Sequence, residues 1–335
     1  MNNTTIFKYA EDRIANTIAL SILCACYLGG WWLLSLPQII LNGLGVLMLA
    51  ESMVLAGFFV HEFAHGSIFQ SGRWNRLAGK CCLWITFHGF FSFTRIQQLH
   101  IAHHRNHADV IHFDFHNYLV QHPLQRNGLI ILEWCYIPAV ELFIKWHSIQ
   151  RIWQTQIQTE QQLIFTAVSL YSGLVLTILW LNPSVFIGLL LAYGLFIHVL
   201  RFMDMHQHTY QAYVLDDKGN IPSLPTQDKN YEQENTYSNV FSLPWSGLNW
   251  LTLNFGYHNA HHAKPFMPWC RLPQLHRTLG YKHRELSAWH LLSNYHQFRV
   301  QRVINANIGK PVMELSPSLQ ASEFHGVIGA SFLNA

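Results

Sequence analysis

The chain has 335 residues, 50% of them hydrophobic and only 12% charged. Soluble domains carry roughly 25% charged residues, so this composition excludes a disordered chain and argues against an ordinary water-soluble globule. A net charge of +3 is too small to point to nucleic acid, and the six cysteines form neither a CxxC pair nor a regular disulfide framework.

Residues 14–36 carry no charge, Pro37 punctuates them, and 38–60 run apolar again except for Glu51. About 20 predominantly apolar residues cross a bilayer, so this stretch predicts two membrane helices joined by a tight turn. The pattern recurs at 163–181 and 184–200, the last helix running on to about 203 past Arg201, with Asn182-Pro183 as the break. Between the hairpins, residues 81–93 (CCLWITFHGFFSF) and 129–146 (LIILEWCYIPAVELFIKW) are aromatic but too interrupted to span. They read as helices lying in the membrane interface or as core helices of a polar body. Neither hairpin turn contains a lysine or arginine; all 21 lie before, between or after the hairpins. Short loops rich in these residues stay inside, which places both termini and the polar body on the cytoplasmic side.

The expected fold is therefore an all-α integral membrane protein with four transmembrane helices in two hairpins. A single domain covers 1–310, its cytoplasmic helical parts at about 61–160 and 204–310. Residues 216–239 are polar and rich in turn formers and read as a loop. The tail, 311–335, reads as disordered.

One count stands apart: 22 histidines, against 21 lysines and arginines together. Imidazole is the commonest metal ligand, and many of these rings cluster. His61 and His65 follow the second span at helical i, i+4 spacing, which puts both on one face. His100, His103 and His104 form an HxxHH cluster, and His258, His261 and His262 repeat it. His206 and His208 stand just past the fourth span. One HxxxH pair is a weak signal; three clusters at membrane exits are a strong one. Eight or nine nitrogens exceed what one ion takes and suit two ions of intermediate softness, such as iron, copper, zinc or nickel. The remaining histidines, His198 inside the fourth span among them, lack a spacing that demands a metal. Glu51 and His198 are the ionisable groups within the spans, and such groups face the bundle interior or a cavity.

The segments HEFAHGSIF, LHIAHHRNH and GYHNAHH, set in this order around two hairpins, resemble the membrane fatty acid desaturase superfamily. That group also holds hydroxylases and alkene-forming fatty acid decarboxylases. The resemblance covers about residues 10–285 and implies a di-iron centre that activates O2. Carried over position by position, it implies His61, His65, His100, His103, His104, His258, His261 and His262 as ligands. Gln207-His208-Thr209 resembles the family's QHT stretch and makes His208 the ninth.

Around these ligands, Glu62, Asp109, Asp114, Asp204, His107, His206 and Asn254 are candidates for supporting contacts, because a ligating histidine donates its other N–H to an acceptor. Phe90, Phe91, Phe93, Trp245 and Trp250 are candidate walls of an apolar tunnel. The implied reaction is introduction of a double bond into a fatty acyl chain. The alternatives are terminal alkene-forming decarboxylation or hydroxylation of free fatty acids, and, more remotely, a non-catalytic metal transporter. A transporter places its ligands near mid-bilayer, which the clusters do not. The chain has no cysteine pattern for an iron–sulfur cluster and no stretch resembling a fused cytochrome b5. An external electron donor such as ferredoxin or cytochrome b5 is therefore expected, and Lys264, Arg271, Arg277, Lys282 and Arg284 are candidates to dock it.

Overall fold

The computed structural model describes residues 6–204, 207, 210, 212–223, 227–242, 245–280 and 284–304. His206, His208, Lys282 and the 311–335 tail therefore lie outside the described residues.

The first hairpin consists of α1 (Arg13–Leu34) and α2 (Ile39–His65). Glycine makes the close packing of these two helices possible. A Cβ on Gly30 would stand 2.9 Å from the Leu49 backbone nitrogen, and one on Gly45 would stand 2.9 Å from that of Leu34. Small residues of this kind let backbones approach where apolar burial gives no advantage over lipid. The turn also satisfies its own polar groups. The Asn42 Nδ2 donates to the carbonyls of Leu33 at 2.9 Å and Leu36 at 2.8 Å, pairing the last turn of α1, which otherwise has orphan acceptors.

Next come α3 (Gly72–Ile85), α4 (Phe93–Asn106) and the short strand β1 (Asp109–Ile111), then α5 (Phe115–Gln121), α6 (Pro123–Trp134) and α7 (Ala139–Gln154). The second hairpin is α8 (Gln158–Leu181) and α9 (Pro183–Asp204). After it follow β2 (Ala212–Val214), α10 (Lys229–Asn235), β3 (Asn239–Ser242), a 3-10 turn over Ser246–Thr252 and α11 (His258–Ala263). A 3-10 turn at Trp269–Arg271, α12 (Leu272–Leu279), β4 (Arg284–Ser287), α13 (Ala288–Gln297) and α14 (Gln301–Ile304) complete the described chain. The strands form two parallel pairs, β1 with β2 and β3 with β4.

Four helices, α1, α2, α8 and α9, are long and apolar enough to cross a membrane. They match the expected spans within a few residues, except that α2 continues unbroken through His65 before Gly66 ends it at φ +60°. The 216–239 stretch is not all loop. Asp228 accepts from the Tyr231 N–H at 2.8 Å and starts α10, a cap that turn-former counting does not separate from a loop. The two aromatic stretches also divide. Phe91 and Phe93 are buried, whereas Trp134 and Trp146 on α6 and α7 are about two-thirds exposed, at 63% and 60%. Exposed tryptophans beside a membrane helix suit the lipid–water boundary.

α2 is the central element, buried on nearly all sides from Leu49 to His65. The second hairpin packs on it through Gly57, where a Cβ would meet Phe196 at 3.4 Å. A buried ionic cluster ties α6 and α7 to α9. Arg201 Nη1 donates to Glu133 at 2.6 Å and Nε to Glu141 at 2.9 Å, and Glu133 also accepts from the Val140 N–H at 2.8 Å. The N-terminal residues cover the box end of α2. Phe7 stacks on Phe69, Phe69 on Phe63, and Lys8 Nζ donates to the Gly66 carbonyl at 3.0 Å.

Candidate metal centre

Three chain segments bring the histidines together. The last turn of α2 supplies His61 and His65, α4 supplies His100, His103 and His104, and the short α11 supplies His258, His261 and His262. α11 is held in place by bonds between side chains and backbone: the Asn259 side chain donates to the Thr236 carbonyl at 2.6 Å, and its backbone N–H donates to Ser238 Oγ at 3.0 Å.

Five of these rings form one cage. Ligand nitrogens of His61, His65, His100, His104 and His261 all lie within 4.8 Å of one another, close to the span of donors around a single ion with bonds of about 2.1 Å. Nε2 of His100 is 2.8 Å from that of His65 and 3.1 Å from that of His104, which in turn is 3.1 Å from that of His261. Neutral imidazoles packed ring nitrogen to ring nitrogen share too few hydrogens to satisfy each other. A cation between them uses every inward lone pair. Burial and the facing imidazoles push His100 and His104 well below the ordinary histidine range, so these rings are neutral and able to ligate.

A second set adjoins the first. His258 and His262 bring their Nε2 atoms to 3.1 Å, and the His262 ring lies 5.3 Å from that of His103 and 4.4 Å from that of His104. All eight box histidines thus converge, as five and three.

The fatty acid desaturase profile matches residues 30–291, more than half of the chain. The chain belongs to the fatty acid desaturase family. It is also 28% identical over 278 residues to the sphingolipid delta(4)-desaturase DES1 of Drosophila melanogaster, covering 81% of this chain and 74% of that protein. Family membership makes this an oxidoreductase of the desaturase type, and four of its helices are long and apolar enough to cross a membrane.

The outer face of the desaturase cage is lined with acceptors. His61 Nδ1 lies 3.3 Å from Glu62, whose other oxygen accepts from Ser67 Oγ at 2.7 Å and from the Trp269 N–H at 3.3 Å. His103 Nδ1 lies 3.0 Å from Asp109 and 3.2 Å from the Ala108 carbonyl. Glu232 on α10 reaches His262 Nδ1 at 3.4 Å and His107 Nε2 at 3.3 Å. Burial raises the Glu232 carboxyl, and the neighbouring His107 opposes the rise. On His61, His103 and His262 the carboxylate meets Nδ1, which turns Nε2 the other way, the arrangement that ligating histidines need, whereas His107 meets Glu232 through Nε2.

The other candidates for supporting contacts make the following bonds. Asp114 caps α5, accepting from the Asn117 N–H at 3.0 Å, so it serves the helix and not a ligand. Asn254 is buried and donates to the Trp269 carbonyl at 3.3 Å. Asp204 ends α9, where its carbonyl accepts from the Gln207 N–H at 3.3 Å. Among the candidate walls, Trp245 is 73% exposed, whereas Trp250 packs edge-on against Trp269 at 4.9 Å. Arg271 pairs with Asp12 at 2.7 Å and Glu11 at 3.2 Å, which leaves it little charge to offer a partner. Sequence reading missed Glu232 and Tyr210, whose hydroxyl bonds Thr236 at 2.6 Å and reaches His262 Nδ1 at 3.4 Å. Neither belongs to a box, and no spacing rule links them to one.

Proposed function

We propose that this desaturase introduces a double bond into the acyl chain of a membrane lipid, using two iron ions and O2. The five-ring cage, built where α2 ends, carries this reading. His61, His65, His100, His104 and His261 would hold one ion. His103, His258 and His262 would hold the other, with His208 as the ninth ligand. An iron pair of this kind supplies the O2 chemistry needed to break an unactivated aliphatic C–H bond, which side-chain acids and bases cannot do.

The chain's own residues do the rest. Glu62, Asp109 and Glu232 orient the ligand rings, and the buried aromatic core around Phe91, Phe93 and Phe196 excludes water from the reacting methylenes. Placing the cage at the end of the spans lets a lipid tail approach from the bilayer with little desolvation. Removing two hydrogens from the chain and reducing O2 to two waters consumes two further electrons and two protons. An external one-electron carrier, ferredoxin or cytochrome b5, delivers the electrons. The basic residues outside the hairpin turns favour the cytoplasmic side for the boxes and both termini. The name of the fly relative favours a chain borne on a lipid over a free acid.

The test is expression in a host with a ferredoxin-type donor, with analysis of lipid chains and volatile hydrocarbons. Internal double bonds are expected. Hydroxylated chains, or 1-alkenes one carbon shorter than their precursor, would replace desaturation by one of the sister reactions, and unchanged lipids with metal flux would leave the transporter.

A further inference from the structure

The stretch from Phe63 to Ala108 contains five lysines and arginines but no aspartate or glutamate. Three of the five, Arg73, Arg76 and Lys80, fall on α3 at i, i+3 and i+7, which is one stripe of the helix. Trp74, Leu77 and Cys81 repeat that spacing one position on and make the adjoining stripe. All six are exposed, Trp74 at 48% and Leu77 at 49%. Among the described residues, none of the three cations makes a hydrogen bond, or an ion pair within 4.0 Å. Lys80 shares a cavity with Glu160, but that carboxyl is engaged by the Arg95 charge.

The opposite face of α3 is committed to the protein, with Asn75, Gly79, Cys82 and Leu83 buried. The Asn75 side chain donates to the Phe69 carbonyl at 2.8 Å and accepts from the Phe69 N–H at 3.1 Å, which ties the start of α3 to the chain just past His65. A Cβ on Gly79 would stand 2.1 Å from the Phe93 ring, so α3 presses on the start of α4, the helix that carries His100, His103 and His104. Its far end reaches both hairpins. Trp84 packs on Tyr171 of α8 with 5.2 Å between ring centroids, and Cys82 lies within electrostatic reach of Cys24 on α1. A face half basic and half apolar is thus turned outward beside the spans.

We propose that this outer face of α3 binds the anionic phospholipid headgroups of the leaflet nearest the cage. A helix with a basic row beside an apolar row lies in the membrane interface, its apolar row over the acyl chains and its basic row among the headgroups. α1, the neighbour of α3, exposes Ile14, Ile18 and Ile22, so the row of Trp74, Leu77 and Cys81 adjoins a surface already turned to lipid. Arg73 and Arg76 suit a phosphate through paired N–H donation, and Lys80 suits it as a point charge. α3 carries no acid to meet the ammonium of a zwitterionic headgroup, so the face selects lipids of net negative charge. An acidic protein would satisfy the three cations but not the apolar row, which is continuous with the membrane surface. Bound lipid braces α3 and, through Gly79 and Phe93, the helix of the second histidine cluster. The site is separate from the cage and independent of the reaction there.

The experiment reconstitutes the full chain in vesicles of phosphatidylcholine and phosphatidylglycerol, with a quenching bromine on the acyl chains of one lipid or the other. Trp74 emission is read as the difference between wild type and Trp74→Phe. Per labelled lipid, phosphatidylglycerol should quench Trp74 several-fold more strongly than phosphatidylcholine. Each lysine or arginine near an anionic surface contributes about fivefold to local enrichment. Arg76→Gln should therefore lose about that factor, Arg76→Lys should keep it, and Arg73→Gln, Arg76→Gln and Lys80→Gln together should erase the preference. Added salt should weaken it, and inorganic phosphate at equal ionic strength should do no more than chloride, which separates a lipid head from a free phosphate. Circular dichroism checks that the variants keep their helices; should the triple variant not assemble, the wild-type preference and the single variants decide. Equal quenching by the two labels in wild type overturns the anionic selectivity, and a preference that survives in the triple variant overturns the assignment to α3. Quenching by neither label places α3 in water and overturns the proposal outright.

Discussion

His103 Nδ1 stands 3.0 Å from the Asp109 carboxylate, a contact made across the turn between α4 and β1. β1 pairs in register with β2, Asp109 opposite Ala212, so this small parallel pair fixes the carboxylate that fixes the ring. Asp109→Asn keeps the shape and removes the charge. It should weaken metal binding by about 10- to 100-fold, read as iron retained after graded chelation, with the unfolding temperature little changed.

His103→Ala should abolish turnover while the four spans and their packing persist. Helical circular dichroism and the monodisperse elution of the detergent-solubilised protein check the fold. Wild-type activity in this variant would remove the second box from the site.

Glu232 serves only one side of the centre, through His262 and His107. Glu232→Gln should therefore loosen the set of His103, His258 and His262 and spare the five-ring cage. The expected outcome is a fall in bound iron from two per chain toward one, with Glu62→Gln producing the complementary loss beside His61. Equal loss from both sets in both variants would mean that the carboxylates act on the fold and not on individual rings.

The spans and the boxes were legible because each is a local signal. Charge-free runs broken at Pro37 and Pro183 mark membrane helices, and i, i+3, i+4 spacing marks a shared helix face. What stayed hidden depends on contacts between distant segments. Glu232 lies 125 residues from His107 in sequence yet 3.3 Å from it in space. Asp114 and Asp109 look alike by position, and only the fold assigns one to a helix cap and the other to His103. Arg201 reads as a positive charge at the end of a span, whereas the fold buries it between two carboxylates from α6 and α7.

That buried cluster makes a stability prediction. Arg201 is 1% exposed, as are Glu133 and Glu141. Arg201→Met leaves two carboxylates in an apolar site and should cost about 3–5 kcal/mol, measured by unfolding in detergent. Replacing all three together, with Glu133→Gln and Glu141→Gln, should recover much of the loss, because a buried ionic group exchanged whole for neutral residues is often close to neutral.

Lys145 on α7 makes the pH prediction. Its ammonium donates to the Phe87 carbonyl at 2.5 Å and to the Tyr193 hydroxyl at 3.0 Å, between the faces of Phe90 and Tyr193. No carboxylate is among these partners, and desolvation pulls its pKa from 10.5 down to about 7. The unfolded chain therefore holds this proton up to about pH 10.5, whereas the folded chain releases it near 7. Stability rises with pH wherever the unfolded state binds more protons, so this residue should make the protein progressively more stable from about pH 7 toward 10.5. Below pH 7 both states are protonated and the contribution is flat at its least favourable value. Lys145→Met, of similar length and without the titration, should remove this slope while leaving other pH effects in place. Denaturant unfolding of both proteins at pH 6, 8 and 9.5 checks it: the difference between them should shrink as pH rises, and parallel curves would show that the Lys145 ammonium stays charged in the folded state.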